Sequence, residues 1–558
     1  MRNRSANILT LVAVLVGLTG LLTLDSALWT MVQRHNVRLI LIDAHLTVIA
    51  GLSLIYLATM LRRGKNNAWM ISIGVYTFLI ARNLRHLVID FHHGHGFVLA
   101  ALNLVIPVAT MALLIAYHRL YIVRSEPRSF AIALRRSILI LAVALVYGVV
   151  GFSLLDEHDY HREISVPAAI YHTIDQFGLN SSQQLVAYSR RARLFSDSLA
   201  AVGLTSAIYV AISFFAPVRF RLSHRRQDYE LAKRIVYKHS KSCEDFFKLW
   251  PRDKNYYLNS GGSAVVAYRV AGGVALSIGD PCGPQQSIRR ILESYLEYCR
   301  LNDWAAAFIH TDRANLALYK RFGFDAQTIG REALVDISHF NSAVASNKYF
   351  RHIQNKFSKQ KYSCEPLSPP HSRQLINELR IISKAWLSRP GRGERGMMMG
   401  YFNEEYLQLC DLVVVRDPAG QVKAFLNRIP SPKADEATYD FLRHSSDAPG
   451  NINDYLMINF IKQLGAEGIE TLNMGLAPLT GLKPASHQDH SVVDSVLRFV
   501  SENAERFYSF QGLARFKAKY EPRWEDRYIV YRGGLPGFTR TMNSLIKAMS
   551  LKHRRFIR

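Results

Sequence analysis

Cysteine is scarce, with five in 558 residues, and no two of them stand as Cys-x-x-Cys. A small disulfide-stapled scaffold is thereby excluded. Negative charge is also short, with 44 Asp and Glu against 69 Lys and Arg and a formal net charge of +25. A disordered chain is excluded in turn, because 49% of the residues are hydrophobic and only 20% are charged. The length exceeds the roughly 250–300 residues that one compact core fills. Mean hydropathy is +0.01. Near-neutral hydropathy beside such a charge excess points to an average over two unlike halves.

The apolar residues concentrate near the N-terminus. Stretches at Ile8–Leu24, Leu39–Leu61, Ala68–Ile89, Phe97–Tyr117, Ser137–Leu155 and Ser198–Ala216 are each roughly 17–23 residues, about the length a ~30 Å hydrocarbon core demands of a helix. Residues 1–218 are therefore expected to form a six-span transmembrane helical bundle. No small-residue cleavage site follows the first stretch, so a cleaved signal peptide is not expected. Basic clusters alternate along the loops: Arg2 and Arg4, then Arg62, Arg63 and Lys65, then Arg119 to Arg136, then Arg219 to Arg226. By the positive-inside rule both termini are expected on the cytoplasmic side. Asp43, His45, Arg82 and Arg85 fall inside spans, which predicts an Asp43–Arg82 or Asp43–Arg85 pair or, with shorter spans, a place among the headgroups. His92, His93, His95, His158 and His161 read as loop histidines, and no metal site is expected.

From Arg219 onward the chain carries 51 Lys and Arg against 34 Asp and Glu, so +17 of the +25 lies there. Two α/β units are expected in this half. In the first, 219–345, a hairpin over Ser263–Val270 and Val274–Ile278 is followed by the breakers Asp280-Pro281 and Gly283-Pro284. An amphipathic helix over Gln286–Leu301, a buried strand at Ala305–His310 and a short helix at Asn315–Phe322 complete it. Residues 346–370 read as a basic interdomain helix and linker. In the second unit, 371–558, a helix at Leu375–Leu387 precedes a hairpin over Leu412–Val415 and Val422–Asn427. A strand at Ala437–Leu442, a helix at Ile452–Leu464, a strand at Glu470–Met474 and a helix over 492–510 follow. Hairpin, helix and strand thus recur, the mark of a duplicated unit.

Two resemblances emerge from the residues. Asn315, Tyr319 and Gly323-Phe324 resemble the closing helix and strand of GNAT acyltransferases, although the pyrophosphate loop of that fold is replaced by Gly279-Asp280-Pro281-Cys-Gly283-Pro284. Acetyl-CoA is disfavoured as donor for that reason. Further motifs follow in order: Gly330-Arg-Glu332-Ala333, Ile382-Ser383-Lys-Ala-Trp386-Leu387, Met399-Gly400-Tyr-Phe402, Asp440-Phe-Leu-Arg443, Asp454-Tyr455-Leu456, Asn473-Met-Gly475-Leu-Ala477-Pro478 and Gly512 to Trp524. This series resembles the synthase domain of the phosphatidylglycerol lysyltransferases, or multiple peptide resistance factors, with which the alanyl-phosphatidylglycerol synthases belong.

The resemblance implies a tandem GNAT fold and an aminoacyltransferase. Such an enzyme moves an amino acid, lysine or alanine, from aminoacyl-tRNA to a hydroxyl of phosphatidylglycerol. It implies a bacterial plasma-membrane protein with its catalytic domain in the cytoplasm, lowered negative charge on the membrane and resistance to cationic antimicrobial peptides. Six spans are fewer than the family's full architecture carries, so no separate flippase module is expected. No cofactor is implied, and a homo-oligomer stays open. Transfer to another lipid-linked acceptor, or a non-catalytic basic domain binding nucleic acid or lipid, are the rival readings.

Such a transfer needs an activated hydroxyl, a stabilised oxyanion and cations for two anionic substrates. Asp440 and Arg443 are the leading candidates, as base or amino-group ligand and as phosphate clamp or oxyanion partner, with a local ion pair as the plain alternative. Asp454 is either catalytic or a helix-start acid. Lys517 and Lys519, read as strand neighbours on one face, are candidates for acyl transfer and 3′-end binding. Trp386 and Trp524 could stack on a terminal adenine or pack in a core. Asn473 could donate at the site or cap a turn. Lys348, Arg351, Lys356 and Lys359, with the tail 552–558, form the candidate tRNA-backbone surface.

Overall fold

The computed structural model describes the chain except residues 1, 34–37, 94–96, 126, 156–159, 161–163, 178–187, 216–217, 219, 224, 390–391, 479, 481–509 and 551–558. The chain divides into two compact units. One is Met1–Arg219 with Arg300–Asp303, and the other is Phe220–Cys299 with Trp304–Arg558.

The first unit is helical: α1 (Arg2–Gln33), α2 (Arg38–Arg62), α3 (Asn66–His93), α4 (Phe97–Ala116), α5 (Pro127–Leu154), α6 (Val166–Phe177) and α7 (Arg190–Phe214). The six expected apolar stretches fall largely on helices. Among the described residues, only Asn7–Asp25 and Leu134–Leu154 are long and apolar enough to cross a bilayer by length and composition. A six-span bundle is therefore not established by the structure. Helix α6, too short to span, is an addition to the expected order. Helices α1 and α2 approach closely at Gly20 and Gly51, where a Cβ on either would press on the other's carbonyl oxygen. The side chains of Asp43, His45, His92 and His93, the residues His95, His158 and His161 and the tail 552–558 lie outside what is described.

The second unit is built on an 11-stranded sheet of order β1-β2-β3-β4-β11-β5-β10-β9-β8-β7-β6. Its strands are β1 (Asn255–Leu258), β2 (Val265–Ala271), β3 (Val274–Ile278), β4 (Ala305–Thr311), β5 (Asp325–Asp336), β6 (Ser363–Leu367), β7 (Asp411–Arg416), β8 (Val422–Arg428), β9 (Glu436–His444), β10 (Thr471–Pro478) and β11 (Arg523–Tyr531). The principal helices are α8 (Arg226–His239), α9 (Gln285–Leu301), α10 (Lys348–Lys359), α11 (Arg373–Leu387), α12 (Ile452–Ala466), α13 (Phe510–Ala518) and α14 (Gly534–Met549).

The repeat lies in the strand directions. Strands β1, β2 and β3 are mutually antiparallel, α9 follows, and β4 returns parallel to β3. Strands β7, β8 and β9 are likewise antiparallel, α12 follows, and β10 returns parallel to β9. Each parallel strand is then covered by the other half's closing strand: β11 lies against β4 and β5 against β10. This exchange makes one continuous sheet out of two units. The resemblance at Gly323-Phe324 implies a closing strand there, and β5 runs on from that point through Arg331 and Glu332 to Asp336.

The helix faces follow the apolar spacing. On α10, Phe350, Ile353 and Phe357 are buried and join α12 and the inner faces of β7–β10 in one core. On the opposite sheet face, α11 and the turn after Cys243 pack Leu375, Leu379, Phe246, Trp250, Tyr406 and Phe441 together.

Candidate active site

Asp440 and Arg443 lie on β9 at an odd spacing, which on a regular strand sends side chains to opposite faces. The pairing with β8 corrects this. Leu426 faces Leu442 and Arg428 faces Tyr439, so Asp440 and Phe441 together oppose Asn427. This is a β-bulge, and the Asn427 side chain accepts the Phe441 N–H at 2.6 Å within it. Asp440, Phe441 and Arg443 consequently project to one face, against Tyr406.

Asp440 Oδ2 accepts the Tyr406 hydroxyl at 2.9 Å and the Gly400 N–H at 2.8 Å. Gly400 has to be glycine, since a Cβ there would overlap Asp440 Oδ2 and the Tyr406 ring. Burial pushes the Asp440 carboxyl up to about 6, against the opposing pull of these two hydrogen bonds and of Arg443.

Arg443 is buried, at 4% exposure. Its two terminal nitrogens each donate to Glu394 Oε1 at 3.1 Å, and one also donates to the Ser383 hydroxyl. The guanidinium lies 4.1 Å from the Phe441 ring centroid and 5.0 Å from that of Trp386. Arg392 lies over the same Trp386 ring at 4.7 Å. Glu394 Oε1 accepts the Phe402 N–H as well, at 2.7 Å. Arg443 thus ties down, through Glu394, the loop that aims Gly400 at Asp440.

A second polar centre crosses the seam of the sheet. His310 on β4, Arg527 on β11, Glu332 on β5, Asn473 on β10 and Glu436 on β9 supply one side chain each from five neighbouring strands. Arg527 Nε donates to Glu332 Oε2 at 2.7 Å, and Arg527 also pairs with Asp312 at 2.5 Å and Glu525 at 3.3 Å. Asn473 Nδ2 and the Cys243 thiol both donate to Glu436 Oε1, at 3.1 and 3.0 Å. Burial pushes that thiol up.

Glu244, from the 3₁₀ turn Cys243–Lys248, covers this row and brings Oε2 to 3.3 Å from His310 Nε2. Burial and the Glu332 charge carry the Glu244 carboxyl well above the usual range. Burial would raise Glu332 too, but His310 and Arg527 outweigh it and hold that carboxyl low. Beside them the Lys517 amine donates to the carbonyls of Gly475 and Leu476 at 2.8 and 2.9 Å. Those carbonyls mark a register slip in β10 at the left-handed Gly475. Burial lowers the Lys517 amine to about 8, with Glu244 and Glu332 resisting.

The expected site residues therefore separate into groups. Asp440, Arg443 and Trp386 come together. Lys517 and Asn473 belong to the seam. Lys517 ends helix α13 rather than sitting on a strand, so the period-2 reading fails and Lys519 turns to another place. There Asp454 accepts Lys519 at 2.8 Å and the hydroxyls of Tyr349 and Tyr520 at 2.9 Å each. Asp454 is at 4% exposure and every one of these donors points at it. Trp524, paired with Ala333, packs against the core beneath α10 and α12. On α10, Lys348, Arg351 and Lys359 are exposed, while Lys356 donates to the Gly450 carbonyl at 3.0 Å.

Sequence reasoning missed Glu244, His310, Arg527, Glu394 and Tyr406. Glu332 and Gly400 were visible within motifs but carried no role. No spacing rule finds the others, because the strand exchange brings them together from separate parts of the chain.

A duplicated α/β unit of GNAT-like topology, with buried acid–base centres on one sheet face, defines the class. Residues 234–531 match the family described as phosphatidylglycerol lysyltransferase, C-terminal, and the chain belongs to that family. It is 31% identical over 280 residues to a phosphatidylglycerol lysyltransferase of Bacillus subtilis (strain 168), covering 50% of this chain and 32% of the relative. To the phosphatidylglycerol lysyltransferase of Staphylococcus aureus (strain MSSA476) it is 28% identical over 315 residues, covering 55% and 37%. The chain thus spans about a third of the length of these curated relatives. The solved structure of L-PGS from Bacillus licheniformis superposes with TM-score 0.50 at 30% identity, over 57% of this chain and 95% of that one. The C-terminal domain of a putative lysylphosphatidylglycerol synthetase from Agrobacterium fabrum gives TM-score 0.51 at 26% identity, over 58% and 97%.

Proposed function

We propose that the chain transfers an amino acid, lysine or alanine, from aminoacyl-tRNA to a hydroxyl of phosphatidylglycerol at the cytoplasmic face of a bacterial plasma membrane. Lowered membrane charge and resistance to cationic peptides would follow. The observation that carries this reading is the Asp440 carboxylate, which lies within the residues matched to the family and is buried on the sheet face beside Tyr406 and Gly400. It is held by two donors on one oxygen, Oδ2, leaving Oδ1 for substrate.

In this reading Asp440 accepts the proton of the attacking hydroxyl, and the carboxyl raised to about 6 suits a base at physiological pH. Arg443 is a positioning residue, because its charge is spent on Glu394. Lys517 is a second support. Glu436 and Asp440 share a face of β9 four residues apart, roughly 13 Å at ~3.3 Å per residue. Lys517, bound to the Gly475 and Leu476 carbonyls beyond the Asn473–Thr438 pair, lies further along the sheet than Glu436, toward the Asp440 end. The exposed face of α10 contributes tRNA-backbone binding through Lys348, Arg351 and Lys359.

The test uses purified full-length protein, phosphatidylglycerol vesicles and radiolabelled Lys-tRNA or Ala-tRNA. Labelled phosphatidylglycerol that disappears on RNase treatment of the donor is the expected result. Absence of labelled lipid with every charged tRNA would overturn the reading. Label on a different lipid alone would favour the other-acceptor alternative.

A further inference from the structure

Three donor atoms at the seam converge without bonding to one another. His310 Nε2 stands 3.3 Å from Glu244 Oε2 and 3.5 Å from Glu332 Oε1, and all three lie within 4.8 Å of each other. Despite these short separations, His310 Nε2 and Glu332 Oε1 are buried with no hydrogen-bond partner among the described residues. The short separations therefore leave both atoms unsatisfied within the cluster.

The backbone and the neighbouring charges both favour a cation there. His310 is held at φ +67°, a left-handed conformation that costs energy in a strand residue and is retained where a side chain must be aimed. Arg527 binds the other oxygen of Glu332, Oε2, which fixes that carboxylate in the way a metal ligand is fixed by its outer neighbours. The charge balance is also unfilled. Glu244, Glu332, Asp312 and Glu525 meet Arg527, Lys517 and, at Glu525, Arg523, a formal excess of one negative charge. Asp245 is cancelled by its own pair with Lys248.

We infer that Glu244, His310 and Glu332 bind one divalent first-row transition-metal ion, with its open coordination positions toward the cavity lined by Lys248, Asp280 and Asn315. Two carboxylates and one imidazole suit zinc, manganese or cobalt. The separations of 3.3 and 3.5 Å from His310 Nε2 to the two carboxylates suit bonds of roughly 2.0–2.2 Å to a shared ion. Such binding is independent of the transfer reaction and can be measured without it.

The experiment uses full-length protein in detergent, stripped with chelator and titrated with Co²⁺ while its visible absorption is read, with Zn²⁺ competition by calorimetry. One equivalent is expected, displaced by Zn²⁺. His310→Asn keeps a residue that tolerates positive φ, and Glu244→Gln keeps the shape of a side chain at the cavity wall. Each should weaken binding at least tenfold while far-ultraviolet dichroism is unchanged. If His310→Asn fails to fold, Glu244→Gln alone decides. A wild-type protein that binds no saturable equivalent overturns the inference, leaving a shared proton as the filling of the site. Binding that both variants leave intact overturns it as well, because the ion then sits elsewhere.

Discussion

Arg443 holds Asp440 through a third residue: it spends two donors on Glu394, and Glu394 anchors the loop whose Gly400 N–H binds Asp440. Removing Arg443 therefore has two expected effects. Arg443→Ala leaves the half-buried Glu394 without its cation, a loss of about 1–3 kcal/mol in unfolding free energy. It also loosens the loop over Asp440, and lipid labelling should fall by about 10²-fold in kcat, the scale of a misplaced reacting group. The double variant Arg443→Met with Glu394→Met removes both charges and should be less destabilised than Arg443→Met alone. Denaturant unfolding of the wild type, the Arg443→Met and Glu394→Met single variants and the double variant checks this, and additive losses would show that the pair is not coupled.

Asp440 gives a pH signature. Its folded carboxyl, raised by burial to about 6, lies above the unfolded value of about 3.9. The folded state then holds the extra proton between those values, so the stabilising contribution is complete below about pH 4 and is lost as pH rises through about 6. Asp440→Asn should remove that loss and raise stability by about 1–2 kcal/mol at pH 7, discounted from ~1.4 kcal/mol per unit because the group is only partly shielded from water. Labelling should vanish in the same variant, and the wild-type rate should climb with pH through about 6. Melting midpoints at several pH values, set beside the rates, make the check. A wild-type rate flat from pH 5 to 8 would remove Asp440 as the base.

Much of the fold was legible because periodicity reports burial. The spacing of Phe350, Ile353 and Phe357 marks the buried face of α10, and the alternation from Val422 to Asn427 marks β8. The exchange of β5 and β11 was not legible, since local pattern says nothing of which edge a strand joins. The same limit hid the seam. His310, Glu332 and Arg527 sit in segments that each look ordinary, and only the strand order makes them neighbours. The bulge at Asp440 was invisible for another reason: a two-against-one pairing depends on the partner strand, so the motif showed the right residues while regular geometry placed them on opposite faces.

The basic helix divides by exposure. Lys348, Arg351 and Lys359 face solvent, whereas Lys356 is engaged with the Gly450 carbonyl. Charge reversal at each of the first three should raise the KM for aminoacyl-tRNA several-fold with kcat nearly unchanged. Each should also reduce the slope of log affinity against log salt by about 0.7–0.9 for every phosphate no longer neutralised. Lys356→Glu should alter stability more than tRNA affinity. Binding isotherms at several salt concentrations separate the two cases, and equal slopes in all four variants would show that α10 does not meet the tRNA backbone.

Asp454 supplies the sharpest contrast between support and chemistry. Tyr349, Lys519 and the fully buried Tyr520 all donate to its carboxylate, so the group joins α10, α12 and the end of α13 and has little left for a substrate. Asp454→Ala strands the Tyr520 hydroxyl and should cost about 2–4 kcal/mol, the sum of an unpaired buried donor and a lost charged hydrogen bond. Asp454→Asn keeps an acceptor and should cost about 1 kcal/mol. Lys519 is one-third exposed, and Lys519→Met should change stability by under about 1 kcal/mol. Turnover at saturating substrates should stay within about twofold of wild type in Asp454→Asn once the folded fraction is matched. Loss of turnover in that variant at an unchanged melting midpoint would instead put Asp454 beside the reacting groups, because a purely structural role offers no route to that result.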